Sequence, residues 1–218
     1  MKKYHSVVSL GFNCYVAKDL ERMGIREQSY PFDWVISNFS DVIRLIDNHF
    51  RDALISNNVQ QDAEHENCYH DTGTGLDHYH DFFPQRGSVE RQLEQVQKKY
   101  QRRYARFYRM GEKPTLYIRF IRNVQDYQWI ESHFQEIEAT IHKGNPLSTV
   151  WYVVLEDFAY QGALNPFVAK NLYHPILTSE QLEKNIRKVV AIPFWRIWKN
   201  KIRYLRKQVK KRISKSSR

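Results

Sequence analysis

Apolar residues in this chain come in two arrangements. Continuous runs occur at Val7-Val8-Ser9-Leu10, Thr115-Leu116-Tyr117-Ile118-Arg119-Phe120-Ile121 and Thr149-Val150-Trp151-Tyr152-Val153-Val154-Leu155. Runs of that length without strict polar alternation suit strands buried on both faces, as in a parallel sheet. Between them the apolar positions recur at helical spacing. Asn13 is a helix cap ahead of Val16, Ala17, Leu20 and Met23, with Gly24 as the stop. A second helix is predicted from Phe39 to Phe50, with Val42, Ile43, Leu45 and Ile46 inward. Ser88 opens a long helix to Met110, with Val89, Leu93, Val96, Tyr100, Tyr104 and Phe107 as its inner stripe and Gly111 beyond it. Asp126 is read as the cap of one helix carrying Ile130, Phe134, Ile137 and Ile141 and ending at Gly144. Thr178-Ser179-Glu180-Gln181 is a capping box ahead of Leu182, Ile186 and Val189. Residues 52–87 show the weakest periodicity and read as a long irregular segment. The alternation predicts an α/β domain over residues 1–190, a mostly parallel sheet with helices on both faces. Residues 191–218 read as a separate tail.

Composition sharpens this picture mainly through charge. The 218 residues carry a net +10, but the last acidic residue is Glu183 and residues 184–218 hold 14 Lys or Arg. The first 183 residues therefore have 20 basic against 24 acidic side chains, a net −4. The tail alone makes the chain basic, so nucleic acid is not an expected partner of the body. Two cysteines are too few for a disulfide framework, and a reducing cytoplasm is the expected setting. Met1-Lys2-Lys3 has the charge of a secretory leader, but the apolar segment after it is short and broken by Gly11 and Asn13. No run approaches the roughly 20 apolar residues of a membrane span.

The tail has its own pattern. Trp198, Ile202, Leu205, Val209 and Ile213 recur at helical spacing, with Phe194, Trp195 and Ile197 at the start. Lys199, Lys201, Arg203, Arg206, Lys207, Lys210 and Lys211 lie between them. A basic amphipathic helix with tryptophans near one end suits an anionic membrane surface. A polyanion, a partner's groove and simple packing on its own domain are the alternatives. A membrane contact would place the protein peripherally on the inner membrane face.

The candidate chemistry centres on Cys14, the first helical residue after the first strand. A thiol there faces unpaired N–H groups at the positive end of the helix dipole, a setting that favours a nucleophilic thiolate. In parallel sheets, sites gather at the carboxyl ends of strands, where Cys14, Asn123 and Glu156 are predicted to fall. Ser29-Tyr30-Pro31-Phe32-Asp33-Trp34 packs three aromatics around an Asp33 that needs a partner. The segment 65–81 holds His65, Cys68, His70, Asp77, His78, His80 and Asp81. Either His80 serves Cys14 as a general base, or His78 and His80 on one strand face bind a metal with Cys68, His70 or a carboxylate. No CxxC pair, HExxH, GxGxxG or phosphate loop is present, and no cofactor is expected.

Ser9-Leu10-Gly11-Phe12-Asn13-Cys14, Arg26, Ser29-Tyr30-Pro31-Phe32-Asp33-Trp34 and His80-Asp81-Phe82 together resemble a bacterial domain-of-unknown-function family described as papain-like cysteine peptidases. The resemblance covers the first 120 to 160 residues and leaves out the tail. It implies Cys14 as nucleophile and His80 as general base; no motif fixes a third, orienting residue, for which Asp81, Asn123 and Asp33 are the candidates in falling order. Backbone N–H groups at the helix start, around Asn13 and Cys14, are expected to hold an oxyanion. Papain-like domains pack the cysteine helix on an antiparallel sheet, whereas the alternation here reads parallel. The expected activity is a cysteine-dependent hydrolase of amide or thioester bonds, or an acyltransferase, acting on an unspecified small molecule or peptide. One alternative is a non-catalytic binding or assembly protein at the cytoplasmic membrane face, linked through the resemblance to envelope polysaccharide synthesis. The other is a metal-dependent hydrolase built on segment 65–81.

Overall fold

The computed structural model describes residues 3–121, 123–154 and 177–216. The three apolar runs form β1 (Ser6–Ser9), β6 (Thr115–Ile121) and β7 (Thr149–Val154), and β8 (Leu177–Thr178) completes a sheet ordered β1-β6-β7-β8. Every pairing in it is parallel, with Val8 opposite Tyr117 and Ile118 opposite Trp151. The sheet is covered on both faces, and strand periodicity sorts its side chains. Val8, Leu10, Tyr117, Ile121, Val150 and Tyr152 join one core, packed by α2 (Phe39–Asp47), α3 (Val89–Tyr108), α4 (Val124–Ser132) and α5 (Phe134–Gly144). Val7, Leu116, Ile118, Phe120, Trp151 and Val153 join the other, packed by α1 (Cys14–Arg22), the helix Ser179–Val189 and Ile197 of the C-terminal helix Phe194–Ser216. Burial on two sides is why these strands lack polar alternation.

Segment 52–87 corrects the sequence reading. It is not irregular: β3 (Val59–Gln61), β4 (Tyr69–Asp71) and β5 (Leu76–His78) join β2 (Val35–Ile36) in an antiparallel sheet ordered β2-β5-β4-β3. Strands of two or three residues are too short to show a period. Polar side chains hold the connections instead. The buried Asp71 carboxylate accepts from Leu54 N at 2.8 Å and Gly73 N at 3.1 Å.

Three helix boundaries also differ. The second helix stops at Asp47, because His49 and Phe50 turn left-handed at φ 60° and 57°. Phe50 remains buried, stacked on Tyr104 with centroids 4.2 Å apart. The helix predicted from Asp126 to Gly144 is two helices meeting at His133, whose ring stacks on Trp129. Its cap is Asn123, which accepts from Asp126 N at 2.9 Å. Asp126 lies in the first turn and faces a buried arginine, Arg119.

The tail is helical from Phe194 to Ser216 and its first half is docked on α1. Gly24 makes the close approach possible. At φ +77° it ends the turn after α1, and a Cβ there would lie 2.4 Å from Ile197 O. Asn200 Nδ2 donates to Gly24 O, while Lys207 and Arg196 pair with Glu21 and Glu27, each at 2.7 Å. No described helix is long and apolar enough to cross a membrane.

Candidate functional site

The chain reaches Cys14 through a turn that is fixed from three directions. Leu10 N donates to Ile118 O at 2.8 Å, keeping the end of β1 on the sheet. Gly11 turns at φ +84°, where a side chain would meet Ser37 Oγ at 2.4 Å. Asn13 then caps α1, its Oδ1 accepting from Tyr15 N at 2.8 Å. Cys14 is the first residue of α1 and is half-buried.

The second side of the site comes from the Ser29–Trp34 motif. Asp33 is buried, and its Oδ2 accepts from Arg26 Nε at 3.1 Å, Arg26 Nη2 at 2.6 Å and Tyr30 N at 2.9 Å. Burial pushes the Asp33 carboxyl above its ordinary range, against the pull of Arg26 and the Tyr30 N–H. The Arg26 guanidinium also lies over the Trp34 ring, 5.2 Å from its centroid. Trp34 in turn meets the His80 ring edge-on, with centroids 5.8 Å apart at 90°. The motif thus runs from a buried carboxylate through an arginine and an indole to an imidazole.

These two parts meet around one cavity of about 290 Å³, lined by Cys14 and Tyr15 from α1, Trp34 and Ile36 around β2, and Tyr79 and His80 beyond β5. Lys18, one turn along α1, stands at its edge. His80 itself is exposed, with its ring against Trp34. Its partial burial lowers its pKa, with Asp81 opposing and the Lys18 and Lys99 cations adding to the shift. A lowered pKa leaves the imidazole neutral at pH 7, the form that accepts a proton.

The three expected orienting residues have other work. The Asp81 carboxylate is buried, accepting from His78 Nδ1 at 2.8 Å, from Tyr100 Oη at 2.7 Å and from Lys99 Nζ. Burial alone would raise its pKa, but His78 and Lys99 outweigh it and hold the carboxyl far below its ordinary value. Asn123 spends its side chain on the α4 cap, and Asp33 on Arg26. Among the described residues the aromatic neighbour of His80 is Trp34. Glu156, also expected at this edge, lies outside the described residues, as does Asp157.

The metal arrangement expected of segment 65–81 is not formed by its donors. His78 is sealed in the core against Asp81, while His80 lines the open cavity, so the two do not converge. His65 pairs with Asp62 and His70 with Asp77. Cys68 is buried, with the Tyr79 hydroxyl within hydrogen-bonding reach of its thiol. Burial pushes the Cys68 thiol up, and the Tyr79 phenol stands at about 12 chiefly because of that bond. No group of three or more metal-binding side chains occurs among the described residues.

Sequence reading missed Arg119, which fell inside an apolar run. Fully buried on β6, it donates Nη1 to Leu10 O and Ser37 Oγ, both at 3.1 Å, and Nη2 to Ser37 O at 2.8 Å. Asp126 Oδ2 lies 3.3 Å from Nη2 and the Phe39 ring lies below the guanidinium. One cation thereby joins the cysteine turn to the end of β2, the two strands of chain that form the cavity walls. A charged residue in a buried strand was the available signal.

Residues 5–154 match the family described as "Putative papain-like cysteine peptidase (DUF1796)". The chain belongs to this family. The match takes in every residue lining the cavity and Arg119, and it ends before the basic helix. An uncharacterised protein of Acanthamoeba polyphaga mimivirus is 41% identical over 44 residues, 20% of this chain and 20% of that protein. The chain therefore matches about a fifth of that relative's length. No solved structure matches at a significant level. Within this family member the cysteine helix packs on the parallel sheet, and the antiparallel sheet instead delivers the histidine.

The residues expected at a membrane divide by face. Trp195 and Trp198 are 64% and 57% exposed, and Lys199, Arg203, Arg206, Lys210 and Lys211 are exposed with them. Lys201 is half-buried beside Gly24. Lys207 is exposed and also pairs with Glu21 of α1.

Proposed function

We propose that this protein is a cysteine-dependent acyl-transfer enzyme, cleaving an amide or thioester bond by hydrolysis or passing the acyl group to another acceptor. The observation that carries the reading is the shared cavity: the half-buried Cys14 at a helix start and the neutral-leaning His80 line the same 290 Å³ space. The family description supports the same chemistry. Cys14 Sγ attacks the substrate carbonyl while His80 takes the thiol proton, then returns it to the leaving amine or thiol. Backbone N–H groups in the first turn of α1 face the developing oxyanion, with Asn13 fixing the start of that turn. Water, activated by His80, or an acceptor nucleophile then releases the acyl group. Tyr15, Trp34, Val35 and Ile36 give the cavity an apolar lining suited to an uncharged acyl portion, and Lys18 suits a negative group beside it.

The test is alkylation by iodoacetamide at pH 6, followed by mass mapping. Cys68 is a built-in control, because burial raises its thiol and slows its reaction. Cys14 is expected to label first, and His80→Ala to slow it by about a hundredfold, the lower range of general-base effects. Equal labelling of the two cysteines, or no response to His80→Ala, rejects the assignment.

A further inference from the structure

The C-terminal helix carries a surface that the catalytic proposal leaves unused. At 100° per residue, Phe194, Trp195, Trp198, Ile202, Leu205, Val209 and Ile213 fall within an arc of roughly 100°. The helix docks on α1 through the opposite side, where Ile197 is buried, Asn200 reaches Gly24 O and Lys207 meets Glu21. Docking therefore turns the apolar stripe away from the domain. Trp195, Trp198, Leu205 and Val209 stay 64%, 57%, 59% and 56% exposed. With Lys199, Arg206 and Lys210 they form one continuous open face of the helix.

Exposing this much tryptophan and aliphatic surface is unfavourable unless something covers it. Charge selects what does. The segment Phe194–Ser216 contains ten Lys or Arg and no acidic residue. A second copy laid along the same stripe would set ten cations against ten, so self-association is opposed. A nucleic acid would satisfy the cations but leave the apolar stripe in water. A bilayer with anionic headgroups satisfies both, since the cations flank the stripe at the level of the headgroups while the stripe enters the acyl boundary. The tryptophans at the helix start have the amphipathic rings that favour that interface.

We propose that the helix Phe194–Ser216 is a peripheral docking surface for anionic lipid bilayers, lying in the plane of the interface with the Trp198–Leu205–Val209 face down. The proposal is independent of the chemistry at Cys14. It also accounts for a charge distribution in which a net-negative body would be repelled by such a surface without its basic helix.

The test is co-sedimentation of the full chain with vesicles of phosphatidylglycerol and phosphatidylcholine, and of phosphatidylcholine alone, at about 0.1 M salt, where screening is moderate. Binding to the anionic vesicles is expected to be at least ten-fold stronger, with a blue shift of tryptophan emission. The combined variant Trp198→Ser, Leu205→Ser, Val209→Ser keeps every charge and is expected to weaken binding at least ten-fold. Its thermal melt should be unchanged, because these side chains are exposed. Lys199→Gln, Arg206→Gln, Lys210→Gln should weaken it similarly by removing the flanking charge. Failure of the full chain to bind anionic vesicles overturns the proposal. So does unchanged binding by the serine variant, which would mark simple polyanion attraction. A dimer that the serine variant dissociates, without vesicle binding, would assign the stripe to a second copy and overturn it as well.

Discussion

His78 Nδ1 lies 2.8 Å from Asp81 Oδ2, with both side chains withdrawn from water. The carboxylate adjacent in sequence to the proposed general base His80 thus serves a different histidine. Buried Tyr100 and partly exposed Lys99 complete the cluster around Asp81. Asp81 therefore holds the turn from which His80 projects, besides its charge opposing the lowered His80 pKa.

Asp81→Asn is expected to destabilise the fold by about 3 kcal/mol, the scale for breaking a buried charged pair. The sign with pH follows from the lowered carboxyl. Stability from Asp81 is fully present above its ordinary value near 3.8 and is lost as pH falls toward its folded value. Urea titrations should show the wild-type advantage at pH 7 shrinking below about pH 4. An advantage that grows on acidification would contradict the ionised assignment.

The pH dependence of the site follows from His80. Its lowered pKa places the acid limb of the activity or Cys14-alkylation profile below the ordinary histidine value of 6.5. Lys18 contributes to that lowering by charge repulsion, so Lys18→Gln should move the acid limb upward and leave the alkaline plateau in place. A profile that does not respond to Lys18→Gln would separate that cation from the base.

Arg119→Met removes the cation that joins Leu10, Ser37 and Asp126. Its loss leaves buried acceptors unsatisfied and is expected to cost about 3–5 kcal/mol in a denaturant titration. Arg119→Lys, which cannot reach several acceptors with one planar group, should recover only part of it. In the folded fraction of either variant Cys14 alkylation should slow, because the two walls of the cavity are no longer tied.

Gly24→Ala tests the docking of the basic helix. The new Cβ meets Ile197 O at a left-handed position, so a cost of about 1–3 kcal/mol is expected. Limited trypsin digestion should then cut between Lys199 and Arg212 faster, while the domain resists as before. Unchanged protection would show that the helix is held elsewhere.

The residues themselves determined the central architecture. Three apolar runs and the helices between them specify a parallel sheet covered on both faces, because burial on two sides removes polar alternation and leaves a readable signal. Asn13, Cys14 and the stripe of the C-terminal helix were legible for the same reason, through caps and periods that act over a few neighbouring positions. The family motif likewise marked Cys14 and His80 without their geometry. Tertiary structure decided what distance along the chain hides. The antiparallel sheet rests on strands of two and three residues, too short to carry a period. Asp81 chose His78 over its neighbour because the partner is set by which side of the turn enters the core. Arg119 reads as one polar residue in a buried strand until its contacts at positions 10, 37 and 126 are brought together. Long-range hydrogen bonds of that kind depend on the path of the whole chain, and local sequence encodes only the groups that make them.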